Sequence, residues 1–207
     1  MPSSSAGGKS TRMGTNKALL KIQDTPNVER IVNVLRPDFP HPVLVTNDPD
    51  HYHFLGIKTV KDYFPGKGPL AGIHAGLIAS PYEVNVSAAC DMPFVSAELA
   101  RVLIEKSHHY DAVIPVIGGK QQPLFAVYKK TLIDVIEEKI KNDKLRMKDL
   151  LNEVNVLYVT EQELKVDDNF ERIFFNMNQP HEYEEALQLA QDKHSGKGEL
   201  TPCNFLK

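Results

Sequence analysis

The sequence predicts an α/β fold of three layers, a mainly parallel sheet with helices on both faces. Three observations carry that expectation. Short runs of strand length recur at Val43-Leu44-Val45, Val84-Asn85-Val86-Ser87-Ala88-Ala89 and Ala112-Val113-Ile114. Segments with apolar residues at helical spacing separate them. The chain has 207 residues, 42% of them hydrophobic, which suffices for one domain with a substantial core and leaves little room for two.

Taken in order, the first helix is marked by Val28, Ile31, Val32 and Leu35, with Pro26 near its start, where a fixed φ suits the first turn. Leu70, Ile73, Leu77 and Ile78 mark a second helix. Leu99, Val102 and Leu103 mark a third, with Ser96 placed to cap it. Leu132, Val135, Ile136 and Ile140 form a fourth, and Tyr183 with Leu187 the last. Strand, helix, strand in succession implies right-handed crossovers and parallel neighbours. Such sheets bind ligands at the carboxyl ends of their strands. Two later runs, Pro123-Leu124-Phe125-Ala126-Val127-Tyr128 and Val154-Asn155-Val156-Leu157-Tyr158-Val159, read as strands that widen the sheet. No internal repeat appears. The expected organisation is one domain over residues 1–191 and a polar, loosely held tail over 192–207, centred on Ser195-Gly196-Lys197-Gly198, with Phe205 and Leu206 available to dock.

Bulk properties narrow the function. A net charge of −3 with 25% charged residues and no basic face interleaved with aromatics gives no sign of a nucleic-acid partner. No apolar run approaches the ~20 residues of a membrane span, and no secretory leader pattern opens the chain. Cys90 and Cys203 form neither a disulfide framework nor a metal pattern, which fits a cytoplasmic location. Cys90 reads as a packing residue, since no base adjoins it in sequence. His51 and His53, and the pair His108-His109, lack cysteines or carboxylates at zinc-ligand spacing and read as surface residues.

The most informative stretch is Ala6-Gly7-Gly8-Lys9-Ser10-Thr11-Arg12-Met13-Gly14 with Lys17 beyond it. Glycines let the chain turn tightly and aim amide N–H groups at phosphate oxygens, and Lys9, Arg12 and Lys17 supply positive charge. A P-loop would need glycine where Ser3 stands and an apolar strand in front of it. Gly68-Pro69-Leu70-Ala71-Gly72-Ile73 reads as a tight loop entering a helix. Asp91 follows Val86-Ser87-Ala88-Ala89-Cys90, so it should emerge at a strand's carboxyl end, with Pro93 turning the chain away. A carboxylate there suits Mg²⁺, which keeps several waters and bridges phosphate oxygens; a helix cap is the alternative, for which Ser96 is better placed.

Together A-G-G-x-S-x-R-M-G-x-x-K, G-P-L-A-G and C-D-M-P-F resemble the molybdenum cofactor guanylyltransferases, over roughly residues 5–190. The first and third motifs recur in related nucleotidyltransferases. The resemblance implies a Rossmann-like nucleotidyltransferase fold, with GTP and molybdopterin as substrates, Mg²⁺ as cofactor and other molybdenum cofactor biosynthesis proteins as possible partners. It implies catalytic roles for Arg12, Lys17 and Asp91, with Asp91 on the metal. It sets Ser5, Ala6, Gly7, Gly8, Gly68, Pro69, Leu70 and Gly72 around the nucleotide. Asn47 and Asp62 match family positions near GTP but read equally as a strand terminator and a turn aspartate. Lys120 and Gln122, in Gly118-Gly119-Lys120-Gln121-Gln122-Pro123-Leu124, match the acceptor loop. Asn178, in Asn176-Met177-Asn178-Gln179-Pro180, matches a turn into the last helix near metal or acceptor; loop and helix entry remain the alternatives for both.

Two departures stand out. The family runs an apolar strand into its Gly-Gly loop, whereas Met1-Pro2-Ser3-Ser4-Ser5 is polar, so an edge of the sheet is expected to be weakened or missing, and Ser5 stands where the family has leucine. Asn16 precedes Lys17 where aspartate is common. The implied activity is transfer of GMP from GTP to the terminal phosphate of molybdopterin with release of pyrophosphate. The alternatives are another nucleotidyltransferase, using CTP with the same pterin or a sugar or alcohol phosphate, and a GTP-binding regulatory module with impaired catalysis.

Overall fold

A computed structural model describes residues 16–164 and 169–192. The glycine loop with Arg12, the positions Ser5 to Gly8, Cys203 and the tail from residue 193 lie outside them.

The described chain enters on a 3-10 turn, Lys17–Leu19, which Asn16 caps by accepting a hydrogen bond from the Ala18 amide at 3.1 Å. A two-residue hairpin, β1 (Lys21–Ile22) and β2 (Thr25–Pro26), follows, its turn made by Gln23 and Asp24 with positive φ of 51° and 63°. Helix α1 (Asn27–Leu35) starts at Pro26 as the spacing predicts. Next come β3 (Val43–Val45) and β4 (Lys58–Val60), paired in parallel around a 3-10 segment, Pro49–Leu55. Gly68 adopts φ 75°, a conformation that favours glycine, and Pro69 opens α2 (Pro69–Ala79) directly behind it.

The remaining strands form one sheet. Strand β5 (Val84–Ala88) leads to α3 (Ala97–Glu105), where Ser96 accepts from the Leu99 amide at 3.2 Å, the cap the sequence predicts. Then β6 (Ala112–Ile117), β7 (Lys120–Gln121) and β8 (Phe125–Lys129) succeed one another with short turns only. After α4 (Ile133–Lys141) and α5 (Met147–Leu151), β9 (Val156–Thr160) pairs in parallel with β6. The short helices α6 (Glu161–Leu164) and α7 (Phe170–Ile173) and the long α8 (Pro180–Asp192) complete the described chain.

The layers are as expected, and the sheet is mixed. The ladder runs β5-β8-β6, with β7 and β9 on β6. Strand β8 is antiparallel to both neighbours, because a connection without a crossover helix can only return the chain in the opposite sense. It therefore sits inside the sheet rather than widening it. Since β8 opposes both β5 and β6, those two and β9 are mutually parallel, and their carboxyl ends share one edge. On one face α1, α3, α6 and α7 enclose a core with Leu99, Leu103, Val113, Phe125 and Val127. On the other, α2, α4 and α5 pack on Ile114, Ala126 and Tyr128.

The β3–β4 pair stands apart from this ladder. The edge weakness expected before the Gly-Gly loop falls on residues outside the described ones; among the described residues no strand bridges β3 and β5, and a cavity of about 980 Å³ lies between them.

Candidate active site

Ala18, behind Lys17, is buried with Leu44, Tyr52, Leu55 and Cys90, which fixes the first turn against the carboxyl ends of both β3 and β5. The Asn16 amide donates to the Tyr52 hydroxyl at 2.8 Å. An aspartate there could only accept from it, so the departure at Asn16 reverses the direction of this bond. The Asn27 amide donates to the Cys90 carbonyl at 2.7 Å, tying the start of α1 to the segment that carries Asp91.

Asp91 follows β5 in a turn closed by the Met92 amide on the Ala89 carbonyl at 3.2 Å, and its own carbonyl accepts from the Met177 amide at 2.9 Å. That bond brings in the segment leading to α8. Lys17 Nζ donates to Asn178 Oδ1 at 2.7 Å, joining residues 161 positions apart. Glu182 accepts from the backbone amides of Asn178 and Gln179, the latter at 2.6 Å, and so fixes the turn that presents Asn178. Sequence reading missed Glu182. Its signal was present: Pro180 at the first helical position and a glutamate two residues on are one half of a capping box.

Burial raises the Asp91 carboxyl above the usual carboxylate range; Lys17 and the residue's own amide pull it down, and Glu182 adds an upward push. Its Oδ1 is buried and has no hydrogen-bond partner among the described residues. A desolvated acceptor beside an ammonium group, with a second carboxylate nearby, is the electrostatic setting of a functional group rather than of a stabilising ion pair. Cys90 differs: burial and Asp91 push its thiol up to about 11, too high for a thiolate nucleophile, in keeping with a packing role.

Asn47 and Asp62 do come together. Asn47 Oδ1 accepts from the Asp62 amide at 3.2 Å, and Asp62 Oδ1 from the Phe64 amide at 2.8 Å, so both side chains shape the turns beyond β3 and β4. Gly68 and Pro69 are exposed at the start of α2. The Leu70 side chain is fully buried among the core residues of α2 and α4, which leaves its backbone as the part available to a nucleotide. Gly72 faces the cavity between β3 and β5.

Lys120 and Gln122 lie on the hairpin beyond β6, where Gly118 and Gly119 take φ of 54° and 74° and Glu161 accepts from the Gly118 amide at 2.9 Å. They share the carboxyl edge with Asp91, while Lys120 makes no tie to the Asp91–Lys17–Asn178 group. His51, His53, His108 and His109 are exposed, the first two beside Asp48 and Asp50. Among the described residues no cluster of three or more His, Cys, Asp or Glu could hold a metal by itself, so a cation here would rest on Asp91 and its ligand.

An α/β/α fold whose carboxyl edge gathers a cation, a half-buried carboxylate and loops from several strands is that of a nucleotidyltransferase. The model of the MobA-like NTP transferase domain matches residues 6–157, and the chain belongs to that family. A relative named probable molybdenum cofactor guanylyltransferase, from Pelotomaculum thermopropionicum, is 38% identical over 192 residues, 93% of this chain and 94% of its own. Another of that name, from Carboxydothermus hydrogenoformans, is 37% identical over 89% of this chain and 93% of its own. The crystal structure of molybdopterin-guanine dinucleotide biosynthesis protein A from Archaeoglobus fulgidus matches with a TM-score of 0.77 at 28% identity, covering 90% of this chain and 96% of that one. The 2-C-methyl-D-erythritol 4-phosphate cytidylyltransferase of Thermus thermophilus shares the fold, with a TM-score of 0.64 at 16% identity over 84% of this chain and 94% of that one.

Proposed function

We propose that the carboxyl edge of the sheet transfers GMP from GTP to the terminal phosphate of molybdopterin, releasing pyrophosphate, and that Asp91, Lys17 and Asn178 are its centre. The observation that carries this reading is the Lys17–Asn178 bond beside a buried Asp91 oxygen that has no partner among the described residues. An acceptor phosphate oxygen attacks the α-phosphorus in line, the bond to the β-phosphate oxygen breaks, and no enzyme-bound intermediate forms. Lys17, held by Asn178, meets charge developing on the triphosphate; Arg12, outside the described residues, is assigned the same task. Asp91 fits Mg²⁺, because a desolvated oxygen with no donor is a ready cation ligand. When bound, the ion supplies neutralisation of phosphate charge.

Ser5, Ala6, Gly7 and Gly8, also outside the described residues, are assigned to the nucleotide through their backbone. Gly68, Pro69 and Gly72, with Asn47 and Asp62, are assigned to its base and ribose side, and Lys120 and Gln122 to the acceptor. The cytoplasm is the expected compartment, with proteins that supply molybdopterin as partners. Among the described residues no helix is long and apolar enough to cross a membrane.

The test is pyrophosphate release from purified protein given Mg²⁺, molybdopterin-loaded acceptor and GTP, CTP, UTP or ATP in turn. Release with GTP alone is expected. Release with CTP would move the chain to a sister activity, and GTP binding without release would sink the catalytic reading.

A further inference from the structure

His74, in the second turn of α2, lies outside the group around Asp91. The residue is 2% exposed, and neither Nδ1 nor Nε2 has a hydrogen-bond partner among the described residues. A buried imidazole ordinarily gives its N–H to an acceptor. What covers this one is a loop: the ring of Phe64 lies 5.3 Å and that of Tyr63 5.9 Å away between centroids, the latter edge-on at 87°. Both belong to residues 61–68, which join β4 to α2.

The loop is tied within itself and to the end of β3. Asp62 Oδ1 accepts from the Phe64 amide at 2.8 Å, the Phe64 carbonyl from the Lys67 amide at 3.1 Å, and Asn47 Oδ1 from the Asp62 amide at 3.2 Å. Toward the helices it reaches through Lys67, paired with Asp143 at 2.8 Å on the exposed surface, and through the two aromatic rings. An exposed ion pair contributes little and is screened by salt. The aromatic seat on His74 is therefore the stronger hold, and it depends on the charge of the ring beneath it. A neutral imidazole is tolerated among apolar neighbours, while an imidazolium with no acceptor is not. The acids that face it, Glu137 and Asp134 of α4 and Asp62 of the loop, make no hydrogen bond to it. Glu137 is held by Lys141 at 2.6 Å and Asp62 by the Phe64 amide, and Lys141 itself opposes a proton on the ring. Burial outweighs the acids and lowers the pKa of His74. Opening of the loop returns the ring to water, where the ordinary value of 6.5 applies, so the open form takes up a proton first.

We propose that His74 is a positioning residue for the nucleotide: uncharged, it seats Phe64 and Tyr63 and so holds Asp62 and Gly68 where GTP meets them, and proton uptake releases the loop. The role rests on the assignment of Asp62 and Gly68 to GTP; the seat itself does not.

The test is amide exchange of the full chain at about pH 7.5 and about pH 5.5, with and without GTP and Mg²⁺, read at Asp62, Phe64 and Lys67. The comparison is His74→Leu, which fills the same place without a proton site. After correction for intrinsic rates, protection at these amides should fall roughly threefold to tenfold at the lower pH in the wild-type chain and stay level in His74→Leu. Saturating GTP should restore it. The terminal phosphate of GTP and the Asp91 carboxyl titrate alike in both chains, so the comparison isolates His74. In turnover, His74→Ala should raise KM for GTP about tenfold with kcat held within about twofold, the signature of lost binding rather than lost chemistry. An equal fall of protection in both chains, or a His74→Ala chain whose kcat drops instead, would overturn the proposal. GTP that binds and leaves the loop unprotected would remove the positioning role alone, whereas GTP that binds to neither chain would take the transferase reading down with it.

Discussion

The two halves of the sheet are built differently. In the β5-β8-β6-β9 half, every residue of β5 is matched by one of β8, and Phe125 to Tyr128 and Val113 to Ile114 are completely buried. In the β3–β4 half, three residues pair with three, only Leu44 among them is buried, and among the described residues the pair is held by α1, α2 and the first turn rather than by a continuous ladder. Asp91 stands where they meet. The lesson is that Asp91, the carboxylate proposed for catalysis, is anchored on the half with the longer ladder, whereas Asn47 and Asp62 ride on the half expected to shift by local opening at lower cost.

The largest effect expected is at that junction. Asp91→Asn should lower kcat about 10²–10³-fold, the range seen when one preorganised charge-stabilising group is lost. The same change should raise the melting temperature at neutral pH. Burial holds the Asp91 carboxyl above its unfolded value, so its charge opposes folding above that raised pKa and the opposition fades as pH falls through it. Turnover retained in saturating Mg²⁺ would remove Asp91 from the chemistry.

The next effect compares the halves directly. Phe125→Ala, in β8, should cost about 3–5 kcal/mol in urea unfolding, while Leu44→Ala, in β3, should cost about 2 kcal/mol, the low end for such a truncation, because its strand already borders a cavity. Equal costs would mean that the halves share one cooperative core.

The smallest concerns His74 on α2. The residue is 2% exposed, neither ring nitrogen has a hydrogen-bond partner among the described residues, and Phe64 and Tyr63 of the loop after β4 pack on it at 5.3 and 5.9 Å between centroids. Burial lowers its pKa; Glu137, Asp62 and Asp134 push it up and Lys141 pushes it down, and the loss of hydration outweighs the acids. A pKa below the unfolded 6.5 means the unfolded chain takes up the proton first, so stability is complete above about pH 6.5 and falls as pH drops through it. His74→Leu should flatten the melting temperature between about pH 7 and 5.5. An unchanged slope would assign the acid sensitivity to other groups.

What the sequence made legible follows physical lines. Helices α1 to α4 and α8 could be read because each buries an apolar stripe at regular spacing, and Ser96 because a cap is a local event. The turn that presents Asn178, its sequence neighbour Pro180 and the carboxyl-end place of Asp91 were readable through the motifs. The direction of β8 was not, since a strand carries no mark of its sense; only the short connections from β6 reveal it. The hairpin at Lys21–Pro26 was missed because two paired residues a side leave no periodicity, and its turn uses Gln23 and Asp24 where glycine or asparagine would have signalled positive φ. The inward turn of the Leu70 side chain was not readable either, because a motif marks a segment and cannot tell backbone contact from side-chain contact.

The bond from Lys17 to Asn178 also bears on synthesis. A ribosome adding about 5–20 residues per second delivers Lys17 long before its partner exists. The strands and α1 to α4 can assemble meanwhile, but the cation stays unplaced until the segment before α8 has left the exit tunnel. Under the proposed function, competence for transfer is gained only once that segment is free, and a product cut short before Asn178 is expected to keep much of its sheet and lack transfer.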